Sequence, residues 1–393
     1  MKKFLVSAVI LLCFSSCARP PVVKPEQALS PIPWWRAATP RDDLGFRNLS
    51  DAVRQSLEYY RKLSPDATFF FGPDRVSVPD MVATLQSFLL IIEDDSLADA
   101  EKIRRIKKDF TVHRSVGSNG RGNVLFTGYY EPLLSCRTAA DDVHQYPLYR
   151  KPDDIIEIDL SQFGETLPAT KIYGRLDRNK VVPYYTREDI DQRNVFSDRR
   201  LEILWCDDPV AVYFLQVQGS GKAILGDGTV VSILYDGQNG RAYRSIGKYL
   251  ADLGAVPREE MSMQAIRDFL RAHPEAIPYI MSQNPSYVFF RIGSGPSLGS
   301  IGAPLSPGRS IATDSRLFPK GALALMVTQK PVIENGAVKE WIPVTRFVLN
   351  QDTGGALKGP GRADLFWGSG PEAEIAAGFM QQPGELYFLM RRK

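Results

Sequence analysis

Eighteen residues near the end of the chain, Gln351 to Gly368, set two aspartates among glycines and aromatics: Asp352 in Gln-Asp-Thr-Gly-Gly and Asp364 in Ala-Asp-Leu-Phe-Trp-Gly. A carboxyl held against apolar and aromatic groups has its pKa raised, because desolvation penalises the ion. Such a group can act as a general acid near neutral pH. Phe366 and Trp367 beside Asp364 could stack on a sugar face. A plainer role is also open, since Asp beside Gly commonly closes a tight turn through its own side chain. Asp314, in Arg-Ser-Ile-Ala-Thr-Asp, is equally bland by itself.

Acid chemistry falls to carboxylates because the other reagents are scarce. The chain has three histidines and four cysteines, and no pair of them has metal-ligand spacing, so no metal or other cofactor is expected. Two apparent motifs fail on inspection. Gly219-Ser220-Gly221-Lys222 lacks the Gly and Ser/Thr of a phosphate loop, with Gln216 and Ala223 in those places. Gly295-Pro296-Ser297-Leu298-Gly299 matches a nucleophile elbow literally, but Gly and Pro follow it and no histidine lies beyond His273, so it is a turn. Lys+Arg 48 against Asp+Glu 45 gives a net charge of +3, too small an excess for a nucleic-acid binder.

The elements that must carry these residues begin with an address. Lys2-Lys3, an apolar run from Phe4 to Phe14 and Ser15-Ser16-Cys17 form an export signal over residues 1–17. The run is too short to span a bilayer. Its end resembles a bacterial lipobox with Cys17 as the lipidated residue, and Ala18 after it favours the outer membrane. Cys136 and Cys206 are candidates to pair in an oxidising periplasm, although nothing in the sequence brings their Cα atoms together. The Pro-rich residues 18–33 read as a tether. Helical spacing marks Ser50–Lys62, with Ser50 as the cap, then Pro79–Ile92, Leu97–Lys108, Arg244–Leu253 and Ser262–Ala272. Trp34 and Trp35 are expected to pin the tether to the body.

Strand-like text covers Val124–Tyr130, Val210–Val217, Val230–Leu234, Tyr287–Ile292, Ala322–Thr328, Trp341–Leu349 and Leu386–Met390. A mainly β fold with added helices follows, with a barrel or sandwich in the last hundred residues.

Taken together the motifs resemble a known family. Residues 304–378 resemble the three-aspartate domain, whose aspartates correspond to Asp314, Asp352 and Asp364. Phe126-Thr-Gly-Tyr-Tyr-Glu-Pro132, Val217-Gln-Gly-Ser-Gly221, Tyr243-Arg-Ser-Ile-Gly247, Met261-Ser-Met-Gln-Ala-Ile266 and Asn284-Pro-Ser-Tyr-Val-Phe-Phe290 resemble membrane-bound lytic transglycosylase A, in family order. The resemblance implies a double-psi β-barrel from residues 34–135 and 284–393, a smaller β-rich domain inserted at 136–283, and a groove between them. It implies non-hydrolytic, exo-type cleavage of the β-1,4 bond between N-acetylmuramic acid and N-acetylglucosamine of peptidoglycan, leaving a 1,6-anhydromuramyl end. Asp364 would be acid and then base, with Asp352 and Asp314 ordering the site or stabilising positive charge, and raising the Asp364 pKa by repulsion. Thr127, Tyr129, Tyr130, Gln218, Gly219 and Ser220 would bind glycan; Glu131 is not expected to be catalytic. The expected setting is a lipid-anchored monomer at the periplasmic face of the outer membrane, open to cell-wall synthesis complexes. Two competing functions remain: a hydrolase using two carboxylates, and a non-catalytic glycan-binding lipoprotein.

Overall fold

The computed structural model describes residues 24–393 apart from 165 and 169. The expected signal over residues 1–17 and Cys17 lie outside the described residues. Among those described, no helix is long and apolar enough to cross a membrane.

Six strands close into a ring. Val124–Glu131 pairs in parallel with Arg362–Ser369, which runs antiparallel to the short Ser310–Ala312. Ser310–Ala312 lies parallel to Ala337–Asp352, followed by Leu323–Glu334 and Gln381–Arg391. The last returns to Val124–Glu131, with Gln381 opposite Thr127. Closure removes the free sheet edges that an open array would expose. Inward residues such as Phe126, Ile311, Leu325, Phe347, Leu365 and Phe388 form one core with two helices laid against the barrel.

Those helices follow the sequence pattern. Leu49–Arg61 buries Val53, Leu57 and Tyr60, at helical spacing. Its cap is Asn48 in a left-handed conformation, and Ser50 sits inside the helix. Val78–Ile92 starts with a capping box between Ser77 and Asp80 and buries Met81, Leu85 and Phe88.

The Pro-rich stretch is not a tether throughout. Ala28 and Leu29 are buried, and Leu29–Ile32 forms an edge strand on Phe110–Ser115. Pro31 is tolerated there because an edge strand has an unused hydrogen-bonding side. Trp34 does pin this segment, its Nε1 donating to the Phe110 carbonyl at 2.8 Å, whereas Trp35 stays exposed.

A second sheet has the order Val288–Gly293, Val230–Gln238, Gly221–Ile224, Leu133–Arg137, Glu202–Cys206, Tyr146–Tyr149. Cys136 and Cys206 lie opposite each other on adjoining strands and are disulfide-bonded, with Cα atoms 4.0 Å apart. Val288–Gly293 pairs with this sheet, so the chain returns to the barrel after Gly293, beyond the expected boundary at 283/284.

One expected strand is a helix. Pro209–Gln218 is helical, with the Asp208 carboxylate accepting from the Val210 N–H at 2.7 Å and Gly219 closing the end at φ 87°. Six of its ten residues are buried and even the exposed Val217 is apolar, so its continuous apolar text carries no amphipathic period to separate it from a strand.

Candidate active site

Register brings the two carboxylates to one face of the barrel. Ala312 pairs with Asp352 on one side and with Asp364 on the other, and Asp364 in turn faces Thr127. Residues in direct register point to the same face, and neighbouring strands lie about 4.8 Å apart, so roughly 10 Å separates the two aspartate backbones. The small Ala312 side chain between them leaves that gap open.

A cavity of about 650 Å³ occupies this place. Barrel residues Gly128, Tyr129, Ala312, Asp352 and Asp364 line one side; Gln218, Gly219, Ser220, Tyr235 and Arg291 come from the second sheet and its helix. Leu298, Gly299, Ser300 and Gly302, with residues 353–357, complete the wall.

The three aspartates have different surroundings. Asp364 sits within its strand and receives no backbone donor. The Thr127 hydroxyl donates to its Oδ1, and Arg362 stands 3.7 Å from the same oxygen. Arg362 also donates to the Thr127 hydroxyl at 3.2 Å. Burial raises the Asp364 pKa, partly offset by Arg362 and the Thr127 bond. The expected repulsion from the other aspartates is not the cause.

Asp352 is pushed up to about 6 by burial, against the opposing effect of N–H groups of Thr353 and Ser300, which donate to Oδ1 at 2.8 and 2.9 Å. Lys320 lies nearby, its own pKa lowered by burial. The Tyr129 hydroxyl is buried beside Asp352 without a well-aligned hydrogen bond; burial and the carboxylate keep it protonated.

Asp314 has the turn-holding role that was open for all three. It is 3% exposed and does not line the cavity. Its oxygens accept from Arg316 at 2.9 and 2.6 Å and from the Gly359 N–H at 2.8 Å. Burial works against the ion, but these partners outweigh it and hold the pKa low.

Among the other expected ligands, Thr127 does not line the cavity but is bonded to Asp364, while Tyr129, Gln218, Gly219 and Ser220 reach it. The Gln218 side-chain oxygen is oriented by the Tyr130 N–H at 3.1 Å. Tyr130 itself faces away, as alternation along a strand demands. It packs on Ala373 and Ala377 and its hydroxyl accepts from Arg267 at 3.1 Å. Phe366 and Trp367 do not line the cavity either. Gly128 is required between them because a Cβ there would lie 2.6 Å from Ala377 Cα and 2.8 Å from Trp367. Glu131 accepts from the Ser297 N–H at 3.3 Å, fixing the Gly295–Gly299 turn.

Arg187 was not singled out by sequence. It is buried and lines the cavity, donating to the Gln216 side chain at 2.6 Å and to the carbonyls of Asn284 and Ser286 at 3.1 and 2.8 Å. Tyr243 and Asn284 join it. The Tyr243 and Asn284 motifs were visible; the distant Arg187 carried no local signal.

A family model described as the MltA specific insert domain matches residues 125–291, and one described as the 3D domain matches residues 309–390. Membrane-bound lytic murein transglycosylase A of Escherichia coli strain K12 is 34% identical over 276 residues, 70% of this chain and 67% of that protein. The chain belongs to this membrane-bound lytic murein transglycosylase A family. The crystal structure of a membrane-bound lytic murein transglycosylase from Agrobacterium tumefaciens is similar with TM-score 0.76 at 28% identity, covering 93% of this chain and 98% of that one. E. coli MltA with bound chitohexaose gives TM-score 0.68 at 26% identity, covering 95% and 97%.

Proposed function

We propose that this protein is a peptidoglycan lytic transglycosylase that cuts the β-1,4 bond between N-acetylmuramic acid and N-acetylglucosamine without water, with Asp364 as acid and then base. The observation that carries this reading is the setting of Asp364. It stands at the cavity wall with a raised pKa, its Oδ1 committed to Thr127 and its Oδ2 without a hydrogen-bond partner among the described residues. In this reading the transferable proton is carried on Oδ2 and passes to the leaving oxygen.

Proton transfer to the glycosidic oxygen breaks its bond to muramyl C1 and leaves positive charge on the ring. The Asp364 carboxylate then removes the proton of the muramyl 6-hydroxyl, whose oxygen bonds to C1. No water is consumed, Asp364 is restored, and the product has a 1,6-anhydro end. An intramolecular nucleophile of this kind has a high effective concentration when correctly oriented. Asp352, ionised above about pH 6, stabilises the cationic ring electrostatically. Asp314 acts through the Gly359 loop and Arg316 instead of touching substrate. Tyr129, Gln218, Gly219 and Ser220 offer an aromatic ring, an amide, backbone and hydroxyl to glycan, groups suited to sugar faces and N-acetyl substituents.

The finer architecture belongs to the same proposal: a double-psi barrel, with glycan lying in the groove toward the second sheet and cleavage from the strand end. So does the location, with Cys17 lipidated and the enzyme held at the periplasmic face of the outer membrane. A two-carboxylate hydrolase is the second reading, favoured by the raised pKa of Asp352 across Ala312 from Asp364. Mass spectrometry of products from peptidoglycan separates the two. Anhydromuramyl ends, lost with Asp364→Asn, support transglycosylation; reducing ends overturn it, as does near-wild-type activity of Asp364→Asn.

A further inference from the structure

A second cavity, of about 1050 Å³, shares no lining residue with the first. Its rim carries six cationic side chains, Arg75, Lys107, Lys108, Arg391, Arg392 and Lys393, all exposed, against one acidic side chain, Asp74. This local side-chain excess of five exceeds the side-chain total of +3 for the whole chain. Lys107, Lys108, Arg391 and Arg392 form no ion pair among the described residues, and Lys393 reaches only Asp80, at 3.8 Å. The charge is therefore neither neutralised within the fold nor spread over it.

The same cavity is edged by Trp34 and Trp35. Trp34 is anchored to the Phe110 carbonyl, which holds its neighbour outward. Trp35 is 77% exposed, with the Arg36 guanidinium 4.8 Å above its ring. An indole held in water beside a cluster of unpaired cations has the amphipathic character that favours the headgroup region of a bilayer. Anionic headgroups supply the missing counter-charge.

Chain length points the same way. Seven residues lead from Cys17 to Lys24, a reach of at most about 25 Å at ~3.5 Å per residue. From Lys24 the chain passes through Leu29–Ile32, whose Pro31 and Ile32 edge the cavity. An anchor at Cys17 would hold this face near the bilayer. That reach argument rests on the lipid-anchor reading above; the charge and tryptophan argument does not.

We infer that this face is a docking surface for an anionic phospholipid bilayer, with the rim cations on headgroup phosphates and Trp35 inserted among the headgroups. The catalytic cavity, lined by other residues, is left free for glycan.

The test uses the chain from residue 18 onward, which retains every described element and has no site for an anchor. Partitioning is measured by sedimentation with vesicles of phosphatidylglycerol and phosphatidylcholine, and with phosphatidylcholine alone. Binding is expected on the anionic vesicles only, with blue-shifted tryptophan emission, and is expected to weaken as salt shortens the screening length from about 10 Å toward 3 Å. Each cation near such a surface contributes roughly fivefold, so Lys107→Glu with Lys108→Glu lowers the partition coefficient by ~30-fold or more. Trp35→Ala lowers it independently and removes the emission shift. Thermal unfolding is the control for folding, so the result does not depend on turnover. Equal binding to both vesicle types, no binding to anionic vesicles, or charge reversal without effect in a folded variant would overturn the inference. Loss of binding to inorganic phosphate at constant ionic strength would also overturn it, indicating a small-anion pocket.

Discussion

Replacing Thr127 by Val tests the proposed acid without touching its carboxyl. Valine keeps the branched shape and the strand, but removes the hydroxyl that donates to Asp364 Oδ1. A hydrogen bond to a charged group contributes about 1.5–3 kcal/mol, and this one favours the ionised carboxylate. At 1.36 kcal/mol per unit, its loss raises the Asp364 pKa by roughly one to two units. Arg362, 3.7 Å from the same oxygen, remains and limits the rise.

The acid must be protonated to act, so activity falls as pH rises through its pKa. The basic limb of kcat/KM for release of soluble muropeptides should therefore move to higher pH by roughly one to two units in Thr127→Val. The acidic limb, which reports Asp352 near 6, should stay in place. Thr127→Ser restores the donor and should return the basic limb toward its original position. A basic limb that stays put or moves down, or a serine variant that behaves like valine, would refute the assignment of that limb to Asp364.

Asp352→Asn keeps an oxygen for the Ser300 and Thr353 N–H groups while removing the buried charge. The folded pKa is about 6 against 3.8 for the free group, so the Asp352 contribution to native stability is most favourable below pH 3.8 and declines as pH rises toward 6. The variant should thus gain up to about 3 kcal/mol over wild type at pH 8 and nothing near pH 3, read by thermal unfolding across pH. Arg309 is fully buried and pairs with Asp42 at 2.6 and 2.8 Å beside the strand that carries Ala312. Arg309→Met should destabilise by about 3–5 kcal/mol in urea unfolding, because Asp42 is left buried and unpaired. Tyr130→Phe, on the face away from the cavity, should leave the KM for glycan within about twofold, whereas Gln218→Ala should raise it more than that; steady-state kinetics decides.

Local text was enough for much of this chain. Pro79 and the helical spacing through Ile92 mark a helix because periodicity acts within a few residues, and the structure adds the Ser77 cap. The motif run from Phe126 to Phe290 and the three aspartates was likewise readable, since each motif is contiguous. Where the text is apolar throughout this information disappears. Val210–Val217 reads as a strand because a helix that is apolar on its exposed positions as well as its buried ones has no polar face to write its period. Leu29–Ile32 reads as a tether because its partner, Phe110–Ser115, lies some eighty residues away.

Residue types alone made Asp314, Asp352 and Asp364 equivalent candidates, and composition left acid chemistry to them. The family resemblance singled out Asp364, and tertiary structure gave the three their different surroundings. Parallel and antiparallel register set Asp352 and Asp364 on either side of Ala312, and put Thr127 on one carboxyl and two backbone donors on the other. The same register turned Tyr129 toward the cavity and Tyr130 away, and a remote helix brought in Arg187. A pKa is set by what surrounds a carboxyl in space, through desolvation and neighbouring charge, and chain order does not contain that distance.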